Sequence, residues 1–317
     1  MPTDRRLLLS IVSPCFNEEG VIELFHRELA QVLDGMPEFD AEIVLVDDGS
    51  RDRTLAVLDR LAAVDPRVRP VALSRNFGHQ IALSAGLDAA RGDLVVLMDS
   101  DLQHPPALVP AMVQAFRGGA DIVSTIRRTT AAPWLQRLTS RAFYWLLNRL
   151  SEVPIEPAAA DFCLLTARVR DQLVAMPERH RLLRGMIAWV GFARTFLPFD
   201  APPRAAGKTK YSWRKRMALA VDGILGFSTA PMRLAIWVGL WVAGLGALYL
   251  LYVLGKALWT GDVVTGWPSL ISVTLILGGM QIVFIGVIGA YLGRVFEQAK
   301  GRPLYVLRRD VPPARPR

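Results

Sequence analysis

The chain is short of cysteine and histidine. Its two cysteines, Cys15 and Cys163, and four histidines in 317 residues make neither a disulfide framework nor a metal-ligand spacing, which excludes a stapled secreted scaffold and a zinc module. Both thiols are expected to be free, in a reducing compartment. No Gly-x-Gly-x-x-Gly follows the first strand-like run. Pro14, Cys15, Phe16, Asn17, Glu18 and Glu19 stand there instead, which argues against a dinucleotide oxidoreductase. No basic groove interleaved with aromatics accompanies the net charge of +8, so nucleic acid is not the expected partner. Basic residues beside apolar segments fit an anionic membrane surface better. A signal-peptide pattern is missing as well: the apolar run 7–12 meets Pro14 and acidic residues at once and reads as a first strand.

Apolar residues are abundant, at 52%, and the excess is local. Residues 234–258 carry no charge before Lys256, and 267–292 carry none; each exceeds the ~20 residues that cross a bilayer. Both are expected to span a membrane. Arg214, Lys215, Arg216 and Arg233 precede the first, and Arg294, Lys300, Arg302, Arg308 and Arg309 follow the second. The positive-inside rule then sets both termini and the large domain in the cytoplasm, with 259–266 outside. Trp237, Trp241, Trp259, Trp267 and Tyr291 lie near the span ends, where interfacial rings collect. Gly278, Gly279, Gly286 and Gly289 permit close packing between the spans or between subunits of a homo-oligomer, or are simply tolerated in lipid.

The first part alternates strand-like and helix-like runs: strands over 7–13, 43–46, 68–73, 94–98 and 120–125, and helices over 18–33, 54–64 and 80–90, with another starting at Pro105-Pro106. In 18–33 the apolar face is Val21, Leu24, Phe25, Leu29 and Val32. Such alternation predicts an α/β fold with a mostly parallel sheet, whose ligands sit at the carboxyl ends of the strands. Three polar clusters fall there: 14–19, 47–50 and 99–103.

The last cluster organises the chain. Asp99 and Asp101, one residue apart after a buried strand, point the same way if the backbone stays extended, and Gln103 continues that side. Two carboxylates and an amide oxygen suit a hard divalent cation that takes phosphate oxygens as further ligands; an acidic turn ending a strand is the plain alternative. Glu18 and Asp48 can accept hydrogen bonds from ribose hydroxyls or a base N–H, or can merely serve a helix start and a turn. His79 and His104 read as structural. Residues 134–150 are amphipathic, with Leu135, Leu138, Ala142, Trp145 and Leu146 opposite Arg137, Arg141 and Asn148. This is either a helix packed on the domain or one lying in a membrane interface. The basic stretch 204–216 is either a solvated surface or a loop at lipid headgroups that reaches a phosphate.

Together these residues resemble glycosyltransferase family 2, and within it the dolichyl-phosphate-mannose-synthase-like polyprenyl-phosphate glycosyltransferases, such as bactoprenol glucosyltransferases with two C-terminal spans. The matching stretches are 13–19, 46–50, 74–80, 98–106, 137–141, 148–150, 160–162, 183–185 and 207–211, in order over nearly the whole chain. The resemblance implies a GT-A fold over 1–203, a basic acceptor loop and juxtamembrane helix over 204–230, two transmembrane helices over 231–293 and a basic tail over 294–317. It implies a UDP- or GDP-sugar donor, Mg2+ or Mn2+, and undecaprenyl phosphate as acceptor at the bacterial cytoplasmic membrane, and hence an enzyme that transfers one hexose, such as glucose, with inversion. Pro14, Phe16, Glu18, Val46 and Asp48 then correspond to nucleoside contacts, and Asp99 and Ser100 to ribose and diphosphate contacts. Asp99, Asp101 and Gln103 correspond to the metal site. Arg127, Arg137, Ser140, Arg204 and Lys210 correspond to phosphate-binding residues at the donor or acceptor, and Asp161 to a carboxylate near the transferred sugar. Cys163 departs from the pattern, which often has a basic residue there; this leaves the sugar preference open.

A phosphate acceptor with a second pKa near ~6 is already largely dianionic, so Asp161 is expected to orient a sugar hydroxyl or steady developing positive charge rather than act as an obligatory base. A processive polysaccharide synthase would carry Gln-x-x-Arg-Trp, where this chain has His180-Arg181-Leu182-Leu183-Arg184-Gly185. An inert membrane adaptor of the same fold would not need the full polar set.

Overall fold

A computed structural model describes residues 6–128, 156, 159–200, 230–260 and 266–308. The amphipathic stretch 134–150 and the basic stretch 204–216, with Arg137, Ser140, Arg204 and Lys210, lie outside the described residues. The chain divides into two compact units, one holding the sheet and residues 303–308, the other holding the long apolar helices.

The first unit is built on seven strands: β1 (Leu7–Cys15), β2 (Phe39–Asp47), β3 (Val68–Ala72), β4 (Leu94–Leu97), β5 (Ile122–Arg127), β6 (Ala159–Thr166) and β7 (Arg194–Phe199). Their order is β3-β2-β1-β4-β6-β5-β7. The pairs β1/β2, β1/β4, β2/β3 and β5/β7 are parallel, and only β6 runs against its neighbours β4 and β5. This is the expected mostly parallel α/β sheet. β1 and β4 are apolar on both faces because both faces are covered.

Alternation along each strand divides the packing. Ile11, Ile43, Leu45 and Val96 turn to one face, into a core shared with α1 (Ile22–Asp34), α2 (Thr54–Val64) and α4 (Val109–Arg117). The α1 residues that enter it are Ile22, Phe25, Leu29 and Leu33. Leu24, expected inside, is 40% exposed: the true stripe is rotated toward Ile22, which the sheet below selects over the local pattern. Removing so enclosed a ring as Phe25 would cost ~3–5 kcal/mol. On the other face α3 (His79–Ala89) lies on β1 and β2. It comes so close that a Cβ on Gly86 would stand 2.2 Å from Val12 Cγ1, so only glycine fits. α5 (Ala167–Ala175) and α6 (Leu183–Trp189) are the other α-helices among the described residues of this unit.

The second unit holds α7 (Ala230–Thr260), of 31 residues, and α8 (Trp267–Ala299), of 33. Within α8, Ile276–Ala299 is long and apolar enough to cross a membrane; in α7 the apolar part of the described residues, Leu234–Tyr249, is shorter.

Candidate active site

The carboxyl ends of β1, β2 and β4 are tied to one another by hydrogen bonds. After β1, Asn17 stands at φ 55°. Its N–H donates to Ser50 Oγ at 3.0 Å, and its Oδ1 accepts from the Arg51 N–H at 2.9 Å. The Glu18 N–H donates to Thr54 Oγ1 at 2.9 Å. Pro14 is buried, and its carbonyl accepts from Ser100 Oγ at 3.0 Å. These bonds bring the three polar clusters to one edge. Phe16 and Glu18 are half-buried there. Val46 is fully enclosed, with Cγ2 toward Gly86 of α3, so it can offer a ligand only its backbone.

Asp48 is 3% exposed, and its carboxylate organises the next loop. It accepts from the N–H of Phe77 at 2.7 Å, the N–H of Gly78 at 3.0 Å and Asn76 Nδ2 at 2.9 Å. Burial raises its pKa, and the two backbone donors pull it partway back. The turn after it fits the same loop: Gly49 stands at φ +66°, and a Cβ there would lie 2.3 Å from the Arg75 carbonyl carbon.

β4 stops at Leu97, and 100–103 is a turn with Leu102 at φ 62°. The expected extended backbone through Asp101 and Gln103 is therefore corrected. The turn joins them instead: the Gln103 N–H donates to Asp101 Oδ1 at 3.1 Å. Asp99 Oδ1 lies 2.7 Å from His79 Nε2, and the Asp99 N–H donates to His104 Nδ1 at 2.9 Å. Although burial pushes the other way, His79, with His104 and Arg127, holds the Asp99 carboxyl at about 2. For His79 burial works downward, yet Asp99 raises it above the ordinary imidazole value. His104 is structural as expected: it is 1% exposed and stacks on Phe162 with ring centroids 5.0 Å apart. Arg127, at the end of β5, lies 6.0 Å from the Phe199 ring centroid, and its charge reaches Asp99.

Asp161 lies on β6 two residues before Cys163, the register partner of Leu97, and its charge, like that of Asp99, reaches His79. Asp161 Oδ1 accepts from Arg184 Nε at 2.7 Å, and Oδ2 from Arg184 Nη2 at 3.2 Å and Gln80 Nε2 at 3.4 Å. Gln80 Oε1 accepts the Leu183 N–H at 2.9 Å, the first of α6. Adjacent residues at the start of α3 thus each touch a carboxylate, His79 that of Asp99 and Gln80 that of Asp161. The sequence reading assigned no role to Arg184 or Gln80; the pair His79-Gln80 after Gly78 and the pair Arg184-Gly185 were the signals available.

The donor types suit a divalent cation: Asp99 stays ionised, and Asp101 and Gln103 follow it in the turn. Among the described residues no group of three or more His, Cys, Asp or Glu could hold a metal, so two carboxylates and an amide would share the ion with phosphate oxygens and water, as hard cations of the Mg2+ class accept.

Comparison with known proteins agrees with this architecture. Glycosyl transferase family 2 matches residues 10–169, and the GtrB C-terminal hairpin matches 230–295. The chain is 40% identical to the uncharacterized glycosyltransferase sll0501 of Synechocystis over 94% of each chain. It is 38% identical to the uncharacterized glycosyltransferase YkcC of Bacillus subtilis over 96% of this chain and 95% of that one. It is 37% identical to the SfII prophage-derived bactoprenol glucosyl transferase of Shigella flexneri over 95% of this chain and 98% of that one. A GT-A-like sheet with its acidic residues at one set of strand ends, followed by a GtrB-type hairpin, makes this chain an enzyme that belongs to glycosyltransferase family 2.

Proposed function

We propose that the enzyme transfers one hexose, such as glucose, from a nucleoside diphosphate to the phosphate of undecaprenyl phosphate, with inversion, at the cytoplasmic face of a bacterial membrane. The observation that supports it best is the end-to-end similarity, at 37% identity over 95% of the chain, to a bactoprenol glucosyl transferase. In this reading 1–203 is the catalytic domain, and 231–293 forms two spans that hold it at the lipid.

The acceptor supplies its own nucleophile. A phosphate oxygen lone pair forms the bond to the anomeric carbon as the bond from that carbon to the diphosphate oxygen breaks, and the electron pair leaves with the nucleoside diphosphate. No proton has to be removed from a dianionic phosphate. A divalent cation, when bound at Asp99, Asp101 and Gln103, supplies charge stabilisation for the leaving diphosphate. Pro14, Phe16, Glu18, Val46 and Asp48 form the nucleoside wall, and Ser100 the approach to the diphosphate. Arg127, with Arg137, Ser140, Arg204 and Lys210, grips phosphate oxygens; guanidinium forks suit that task. Asp161, already engaged by Arg184, orients a sugar hydroxyl.

Membranes carrying the enzyme, given radiolabelled UDP- and GDP-hexoses with and without undecaprenyl phosphate, test this. One donor should label the lipid fraction only when the lipid is added. No lipid label with any donor, or label in a polymer, would overturn the reading.

A further inference from the structure

The described chain beyond α8 is not a free tail. Residues 303–308 belong to the sheet-bearing unit. Leu307 forms an antiparallel bridge with Leu73, just past the end of the edge strand β3. The Ser74 N–H donates to the Val306 carbonyl at 2.8 Å, and the Arg308 N–H donates to the Ala72 carbonyl at 2.8 Å. Tyr305 OH donates to Asp88 Oδ2 at 2.8 Å, on α3.

What this segment braces is the wall of the active site. Ser74 opens the loop that continues through Arg75, Asn76, Phe77 and Gly78, and the last three are the donors to Asp48. The loop is held from the other side by the turn at Gly49, where there is no room even for a methyl group. The Arg308 charge reaches Asp47, at the end of β2, whose buried Oδ2 has no hydrogen-bond partner among the described residues. Asp88 lies on the helix that presents His79 to Asp99 and Gln80 to Asp161.

We propose that residues 303–308 are positioning residues for the donor nucleotide: they hold the 74–78 loop and α3 against the strand ends, so that nucleotide affinity depends on chain that follows the second apolar helix. The proposal rests on the reading that these strand ends bind a nucleotide sugar. The bonds of 303–308 go to the backbone at 72–74 and to Asp88, so donor and acceptor constants should separate.

The test uses the full-length protein in detergent, with UDP and GDP as probes in the presence of Mg2+. Arg308→Pro removes the N–H that bonds to Ala72, while the extended backbone it favours at Leu307 suits the bridge; Arg308→Ala keeps that amide. Tyr305→Phe and a chain ending at Arg302 extend the series. Arg308→Pro should weaken binding of the preferred nucleotide about 3- to 10-fold, the effect of one lost hydrogen bond, and the shortened chain should weaken it more. Arg308→Ala should show less than half that factor. The KM for nucleotide sugar should rise with the KM for lipid phosphate unmoved, and amide exchange over 74–78 should quicken. If Arg308→Pro and Tyr305→Phe bind nucleotide and exchange as the unchanged protein does, or if donor and acceptor KM rise together, the inference fails. If the unchanged protein binds neither UDP nor GDP, it is the functional reading that fails, and the exchange rates still report whether the tail braces the loop.

Discussion

Arg184 grips Asp161 through two nitrogens, Nε at 2.7 Å from Oδ1 and Nη2 at 3.2 Å from Oδ2. The pair sits on separate elements, α6 and β6, and Gln80 of α3 touches both of them. The carboxylate is thereby fixed in place, with its charge reaching His79. Arg184→Ala is expected to lower turnover ~10- to 100-fold, the cost of a misplaced catalytic group, with nucleotide affinity nearly unchanged. Because the pair is only partly shielded, with side chains 33% and 14% exposed, stability should fall by about 1–2 kcal/mol rather than by the full cost of a buried ion pair. Arg184→Lys should not restore turnover, since an ammonium cannot make the fork. Steady-state kinetics beside nucleotide titration checks this.

Gly49→Ala tests the fit between the β2 turn and the 75–76 backbone. The substitution meets both an unfavourable positive φ and a contact of 2.3 Å. It is expected to cost about 2 kcal/mol or more and to weaken nucleotide binding, because the displaced loop is the one that Asp48 holds. A thermal melt and a nucleotide titration on the same preparation separate the two effects.

Away from the site, Asp65 sets part of the acid limit. Burial alone would raise its pKa, but the Arg67 side chain and N–H, together with His26, hold it at about 2. A carboxyl lowered on folding contributes stability above its unfolded value near 3.8, and that contribution disappears as pH falls from there toward 2. Asp65→Asn should therefore cost about 2 kcal/mol at neutral pH, and its stability should vary less than that of the unchanged protein between pH 4 and 2. Denaturant midpoints across that range provide the measurement.

Both thiols should be inert. Cys15 and Cys163 are 1% and 2% exposed. Burial pushes the Cys163 thiol up to about 12 and raises Cys15 well beyond the usual thiol range, so little thiolate forms at pH 8. Alkylation by iodoacetamide at that pH should label neither cysteine until the chain is denatured, as mass spectrometry of the folded and unfolded protein would show.

Where local chemistry decides an element, the sequence reading met the structure closely. The α2 helix runs over Thr54–Val64 as its spacing predicts, and β1, β2, β3 and β4 all lie on the apolar runs proposed for them. Legibility fades where a distant partner decides. β6 opens on Ala159-Ala160-Asp161, weak strand formers, and is a strand because β4 and β5 flank it. Its direction, antiparallel to both neighbours, is not visible in its residues. The turn at Leu102 hid the true relation of Asp101 to Gln103, since an apolar residue at positive φ has no sequence signal. Residues 303–308 were legible only as a basic tail, because a single bridge and one tyrosine hydroxyl leave no periodic trace.

In the proposed reaction Asp101 supports departure of the nucleotide while a lipid phosphate attacks. The most direct measurement is transfer of labelled hexose to undecaprenyl phosphate in liposomes, with the unchanged protein and Asp101→Asn compared at saturating donor and lipid. The account predicts label in the lipid for the unchanged protein, abolished by chelator and restored by Mg2+ or Mn2+, and a loss of about 1,000-fold or more for Asp101→Asn, the ~4 kcal/mol expected from several kcal/mol of charge stabilisation. Equal turnover by the two proteins, or full activity in chelator, would contradict it.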